Sequence, residues 1–131
     1  MILVDTSVWV DHLRIGQSSL VRLLEDGVVL GHPWIVGELA LGHLAKRHEV
    51  IRLLGSLPQA TVATEEEIMT LIDRHRLYGR GIGIGYVDAQ LLAATQLTAD
   101  AALWTGDRRL AVAASHLGCA INPDDGTPDL P

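Results

Sequence analysis

Met1-Ile2-Leu3-Val4-Asp5-Thr6-Ser7 opens the chain, and its reading decides the architecture. Ile2, Leu3 and Val4 form a short apolar run without alternation and with two β-branched members, a pattern that suits a strand buried on both faces of a parallel sheet. Asp5 ends the run. Thr6 and Ser7 supply hydroxyls where a helix begins, and Val8, Trp9, Val10 and Leu13 follow as its apolar side. A carboxylate at the carboxyl end of a central parallel strand points into the crevice where open α/β sheets bind ligands. The plainer alternative is that Asp5 only caps a helix.

Outward from this stretch the chain alternates strand and helix. The spacing predicts helices over about 6–14 and 18–26, a strand at 28–30, and a helix over about 34–46 followed by a helical piece at 47–55. Pro58 breaks that piece ahead of a brief third strand, Ala60-Thr61-Val62. Thr64 with Glu67 makes a capping box for a helix over about 65–78. A glycine-rich stretch, Gly79 to Gly85, leads into a helix over about 86–98. A strand at Ala102-Leu103-Trp104, a helix over about 108–117 and a last strand at Cys119-Ala120-Ile121 complete the pattern. Residues 122–131 hold three Pro and three Asp with little to bury, and read as a disordered acidic tail beyond a domain spanning 1–121. The expected fold is α/β, a three-layer α/β/α sandwich on a short, mainly parallel sheet.

Composition narrows the function. One domain of this length buries a core without staples. Apolar residues at 48% and a mean hydropathy of +0.25 leave apolar surface uncovered in a monomer, which predicts a homodimer or a protein partner. Cys119 is the single cysteine, so an internal disulfide and a cysteine-built zinc site are excluded, in keeping with a reducing cytoplasm. No stretch has the length of a membrane span and the N-terminus lacks a signal-peptide pattern, so a soluble cytoplasmic protein is expected. The net charge of −6 argues against general coating of DNA, although a local metal site or arginine rim overrides a mean.

Three further acids stand in telling places. Glu38 lies inside an apolar helix, with Trp34, Ile35, Leu41 and Gly42 as companions at helical spacing. Asp88 opens a helix against Leu91 and Leu92, and Asp107 follows the strand Leu103-Trp104 at a helix start. Singly, Asp88 and Asp107 are accounted for as helix N-terminal carboxylates, worth about 0.3–1 kcal/mol. Jointly, a doubly wound sheet brings its strand ends to one edge. Two carboxylates about 5 Å apart repel by roughly 3 kcal/mol at an effective dielectric of about 20, so four together need protons or a divalent cation. All-oxygen ligands select Mg²⁺ or Mn²⁺ over zinc.

Val4-Asp5-Thr6-Ser7-Val8-Trp9, Glu38, Asp88-Ala89-Gln90-Leu91-Leu92-Ala93 and Leu103-Trp104-Thr105-Gly106-Asp107 resemble the motifs of PIN-domain ribonucleases, in particular the VapC-like toxins of toxin–antitoxin pairs. The likeness runs from residue 1 to about 121. It implies an Mg²⁺- or Mn²⁺-dependent endoribonuclease in which Asp5, Glu38, Asp88 and Asp107 form the metal pocket, supported by Thr6, Ser7 and Thr105. It also implies a water nucleophile, leaving a 5′-phosphate and a 3′-hydroxyl, and an antitoxin that blocks the pocket. Trp9, Trp34 and Leu41 are candidates for that partner's contact, although core packing accounts better for each.

RNA approaching an acidic pocket needs positive groups at the rim. Arg14, Arg76, Arg80, Arg108 and Arg109 flank the motifs; Arg80, Arg108 and Arg14 are the candidate RNA contacts, although exposed arginines more often serve solubility. The glycine-rich stretch follows no strand and lacks both Rossmann and P-loop spacing, so it serves to bend the chain into the helix of Asp88. The histidines show no metal-ligand spacing on a helix. A receiver-type phosphoacceptor wants a lysine near a late strand, whereas the only lysine is Lys46. A haloacid-dehalogenase-like phosphatase wants an Asp where Ser7 stands. The remaining alternative is a non-catalytic PIN-like protein that only binds a partner, against which the intact acidic set argues.

Overall fold

The computed structural model describes residues 1–124. Three parallel strands, β1 (Ile2–Val4), β2 (Val29–Leu30) and β3 (Ala102–Trp104), lie in the order β2-β1-β3. β1 is therefore central, and all three of its residues are buried, which is why it carries no polar alternation. Among the described residues, seven helices complete an α/β/α arrangement: α1 (Thr6–Ile15), α2 (Ser18–Glu25), α3 (Pro33–Ala40), α4 (Arg47–Ser56), α5 (Glu65–His75), α6 (Tyr86–Leu97) and α7 (Arg108–His116). α3 packs on α1 and α4, α5 packs on α6, and both α6 and α7 pack against β3. Leu3, Trp9, Leu20, Leu91, Leu92 and Leu103 make the centre of the core. Among the described residues, no helix is long and apolar enough to cross a membrane.

The register decides where the chain's chemistry gathers. Val4 pairs with Trp104, and the Asp5 amide donates to the Trp104 carbonyl at 2.9 Å. Both strands thus end at one level, and the segments 5–7 and 105–107 leave the sheet side by side. α1 starts immediately after β1 and α7 shortly after β3, so two helix N-termini flank the same edge.

Four elements differ from their sequence expectations, the first being the helix expected over 65–78, which stops at His75 as Arg76 turns left-handed with φ +53°. The helix expected over 34–46 stops at Ala40, where the Gly42 amide closes onto the Leu39 carbonyl and Arg47 Nε donates to the Ala40 carbonyl. The strand expected at 60–62 does not form, a single bridge of Gln59 with Gly31 standing just before it, and the one expected at 119–121 shrinks to a single bridge of Ala120 with Leu103. Pro58 and Pro123 bound those pieces and carry no amide proton, and the Thr61 amide turns aside to Thr98 Oγ1. Of the expected disordered tail, residues 125–131 lie outside the described residues; within 122–124, Asp124 donates its amide to Asn122 Oδ1 and accepts a hydrogen bond from Ser19.

Candidate active site

Asp5 stands at the helix-cap position of α1 but makes no capping hydrogen bond. Its carboxylate is only 7% exposed and instead receives two hydroxyls on one oxygen: Ser7 Oγ donates to Oδ2 at 2.8 Å and Thr105 Oγ1 at 2.7 Å. The cap reading of Asp5 is thereby set aside. The same two hydroxyls accept amides from the segment after β3, Ser7 Oγ from Gly106 N across the strand ends at 2.9 Å and Thr105 Oγ1 from Asp107 N within its own loop at 3.0 Å. Ser7 and Thr105 thus stitch the ends of β1 and β3 together around one buried carboxylate. A hydroxyl both donates and accepts, which is what this double duty requires.

The other three acids come from separate elements. Asp107 caps α7 with Oδ1, which accepts from the amides of Arg109 (2.9 Å) and Leu110 (3.2 Å). Asp88 reaches back from the first turn of α6, its Oδ2 accepting from the Gly85 amide at 3.1 Å. Glu38 comes from α3; its carboxylate is exposed rather than pressed on apolar surface, and Oε1 accepts from Thr6 Oγ1 at 2.6 Å. Thr6, Ser7 and Thr105 each hold one of the acids. Every donor to the four carboxylates among the described residues is a neutral hydroxyl or amide.

Charge ties the four into one unit. The Asp88 carboxyl is pushed above its ordinary value, first by burial and then by the negative charges of Asp5, Asp107 and Glu38; the Gly85 amide opposes the shift. Among the described residues, no three acidic, histidine or cysteine side chains stand at metal-ligating spacing. Each carboxylate leans instead on its own hydrogen bonds, as mutual repulsion of like charges favours. The donor set is all oxygen, and Asp5 Oδ1 accepts no hydrogen bond from the described residues. That chemistry fits a hard divalent cation.

Three features of the surroundings were not read from the sequence. His32 is fully buried at the start of α3, where Nδ1 accepts from the Trp34 amide at 3.0 Å. Burial lowers its pKa, and the neutral ring caps the helix that carries Glu38, with Nε2 buried and without a hydrogen-bond partner among the described residues. A His-Pro pair ahead of an apolar run was the signal the sequence offered. Second, Trp34 and Tyr86 meet edge to face with ring centroids 5.9 Å apart, joining α3 to α6 beside Glu38 and Asp88. Third, Gly83 has a left-handed φ of +65°, and a methyl built there would lie 2.8 Å from Arg109 Cζ, so the glycine seats that guanidinium.

The arginines separate. Arg108 and Arg109 stand in the first turn of α7, next to Asp107. Arg14 lies near the far end of α1, about 12 Å along the axis from Thr6. Arg80 is exposed in the glycine-rich loop. Of the apolar partner candidates, Trp9 is 1% exposed and belongs to the core, whereas Trp34 at 39% and Leu41 at 92% do not. Pro33, Trp34, Gly37, Glu38 and Leu41 line a shallow hollow of about 410 Å³ beside the acids.

A family model described as PIN domain matches residues 2–115. The protein named Ribonuclease VapC32 in Mycobacterium tuberculosis, strains CDC 1551 / Oshkosh and ATCC 25618 / H37Rv, is 47% identical over 121 residues, covering 92% of this chain and 96% of that protein.

Proposed function

This chain belongs to the PIN-domain family, among its VapC-like ribonucleases, and on that premise we propose that it is a divalent-metal-dependent endoribonuclease, the toxin of a toxin–antitoxin pair. The observation that carries the reading is the acidic rim. One carboxylate, Asp5, is buried at the end of the central strand, and its charge bears on Asp88 together with those of Asp107 and Glu38 from separate elements.

Asp5, Asp88 and Asp107 would hold Mg²⁺ or Mn²⁺, with Glu38 as an outer ligand or water-orienting base. Such an ion, when bound, polarises the phosphoryl oxygen and acidifies water for in-line attack. The chain's own side chains do the positioning. Ser7 and Thr105 fix the Asp5 carboxylate, Thr6 keeps Glu38 at the mouth where a water proton can be taken, and the α7 amides hold Asp107 in place. Hydrolysis by water leaves a 5′-phosphate and a 3′-hydroxyl. The nuclease domain spans residues 1–121 and acts in the cytoplasm.

Trp34 and Leu41 on the hollow beside Glu38 are the surface we assign to the antitoxin, an apolar helix seated there with a basic side chain reaching the acids. Val10, Leu13 and Ile15, all exposed on α1, add apolar area for this partner or for a homodimer. A purely partner-binding PIN-like protein is disfavoured, because the acidic set would then be retained at an electrostatic cost with no chemistry to offset it.

The test is cleavage of a structured RNA by the purified protein with and without Mn²⁺, alongside Asp5→Asn. The expected result is metal-dependent cleavage carrying 5′-phosphate ends and abolished in the variant with its melting curve intact. Cleavage that is unchanged in EDTA, or normal in Asp5→Asn, refutes the proposal.

A further inference from the structure

A second depression is lined in part by Arg108 and Arg109, the two residues that follow Asp107 in the first turn of α7. It has a volume of about 420 Å³ and runs between the end of α5, the glycine-rich loop and α7. His75, Arg108, Arg109 and His116 supply its polar walls, and Ile82 and Val112 are among its apolar ones. No carboxylate among the described residues lines it, in a chain of net charge −6. Its size falls within the roughly 300–1,000 Å³ of clefts that take small organic groups.

We propose that this cleft is a nucleotide subsite for the RNA strand beside the scissile bond. Arg108 and Arg109 take a backbone phosphate, and the apolar wall of Ile82 and Val112 takes the adjoining base or ribose. The assignment rests on the ribonuclease reading above and adds to it where the strand lies. Two observations support it independently of that reading. The charge is complementary to a polyanion where the rest of the molecule repels one. The Arg109 guanidinium is also seated in advance: Gly83 leaves room that any side chain would fill, and its left-handed backbone is one that glycine adopts freely.

Chain geometry links this cleft to the acids. Asp107, Arg108 and Arg109 are consecutive, with α carbons about 3.8 Å apart. A strand whose scissile phosphate sits at Asp107 therefore brings a neighbouring phosphate within reach of the two long arginine side chains. The first turn of α7 presents an acid to one nucleotide and guanidinium groups to the next. Arginine suits this task because its planar fork matches phosphate oxygens in pairs.

The experiment measures binding of a fluorescein-labelled, randomised single-stranded RNA of about a dozen nucleotides by anisotropy across a salt series. Asp5→Asn serves as the parent, so that no cleavage intervenes. Near 0.1 M salt, Arg108→Gln and Arg109→Gln together should weaken binding about fivefold and either alone less, the slope of log K against log salt falling by about 0.7 in the double variant for the one phosphate no longer neutralised. Gly83→Ala, which displaces Arg109 without removing its charge, should weaken binding while Arg22→Gln, at an exposed position on α2, does not. Unchanged affinity and slope in the double arginine variant overturn the subsite. So does equal weakening of a poly-glutamate peptide of matched charge, which would reduce the arginines to a general anion patch. Cleavage by the unaltered chain is followed in parallel. If it cuts RNA while the arginine variants bind as the parent does, the subsite alone is wrong. If it neither binds nor cuts RNA, the ribonuclease reading fails and the subsite with it.

Discussion

Replacing Thr105 by Val tests whether the two strand ends are held by hydroxyl chemistry. Valine keeps the shape and removes one oxygen. That oxygen donates to the buried Asp5 carboxylate at 2.7 Å and accepts the Asp107 amide at 3.0 Å. A hydrogen bond to a charged group contributes about 1.5–3 kcal/mol, and the exposed amide bond, which water replaces, contributes little. The expected loss is therefore about 2–3 kcal/mol. With an unfolding entropy of about 2.1 cal/mol/K per residue, each kcal/mol of destabilisation lowers Tm by about 3.6 °C in a chain of 131 residues. Thermal melts followed by circular dichroism should thus fall by about 7–11 °C for Thr105→Val. Thr105→Ser retains the hydroxyl and should lose under about 1 kcal/mol. Cleavage should fall about 10–100-fold in the valine variant, the usual cost of losing a group that orients a ligand. A cycle with Asp5→Asn separates this hydrogen bond from its surroundings, since the coupling survives only while both partners are present. A valine variant that melts within about 2 °C of the parent would refute the reasoning.

The raised Asp88 pKa makes stability depend on pH in a definite sense. The folded state binds this proton more tightly than the unfolded chain, whose value is about 3.8. The corresponding stabilisation is fully present below that value and is lost as pH rises through the higher folded one. Asp88→Asn should therefore flatten the Tm-against-pH curve on that rising side and leave it unchanged on the acid side; an unaltered profile would show that Asp88 does not carry the shift. Leu41→Asp should leave Tm within about 2 °C, because the side chain is 92% exposed and buries almost nothing. The same variant should lose co-purification with the antitoxin expressed alongside it, and retention of the complex would move the partner surface elsewhere.

Much of the fold was legible because the strand cores announce themselves. Ile2-Leu3-Val4 and Ala102-Leu103-Trp104 are short apolar runs, each followed closely by an acid and a helix start, and both stand where the sequence placed them. The weak strands failed for a local reason: near Gln59 and Ala120 the ladder is cut by prolines and by a competing hydroxyl. Exposure was the least legible property. Trp9 and Trp34 look alike as large apolar residues in helices, yet one is in the core and the other is turned outward. Hydrophobic periodicity reports which residues avoid water, and a partner surface satisfies it as well as a core does. The basic cleft was hidden for another reason. It forms only where the end of α5 meets α7, more than thirty residues later.

Asp5 and Asp107 show where local reading ends. Both follow an apolar strand, both precede a helix, and both suit a helix cap. One caps and the other does not, and strand order decides which. β1 is central, so the loop after β3 lies alongside and delivers Thr105 to Asp5; β3 has β1 on one side and only a single bridge to Ala120 on the other. Asp107 therefore keeps its own helix amides, whereas Asp5 is drawn off its cap by hydroxyls from both strand ends. A carboxylate buried in this way, with no cation among its donors in the described residues, is costly unless something else compensates it. The acid that gives up its local role is thus the one on which the site is centred, and that choice is made by the sheet rather than by the residues next to it.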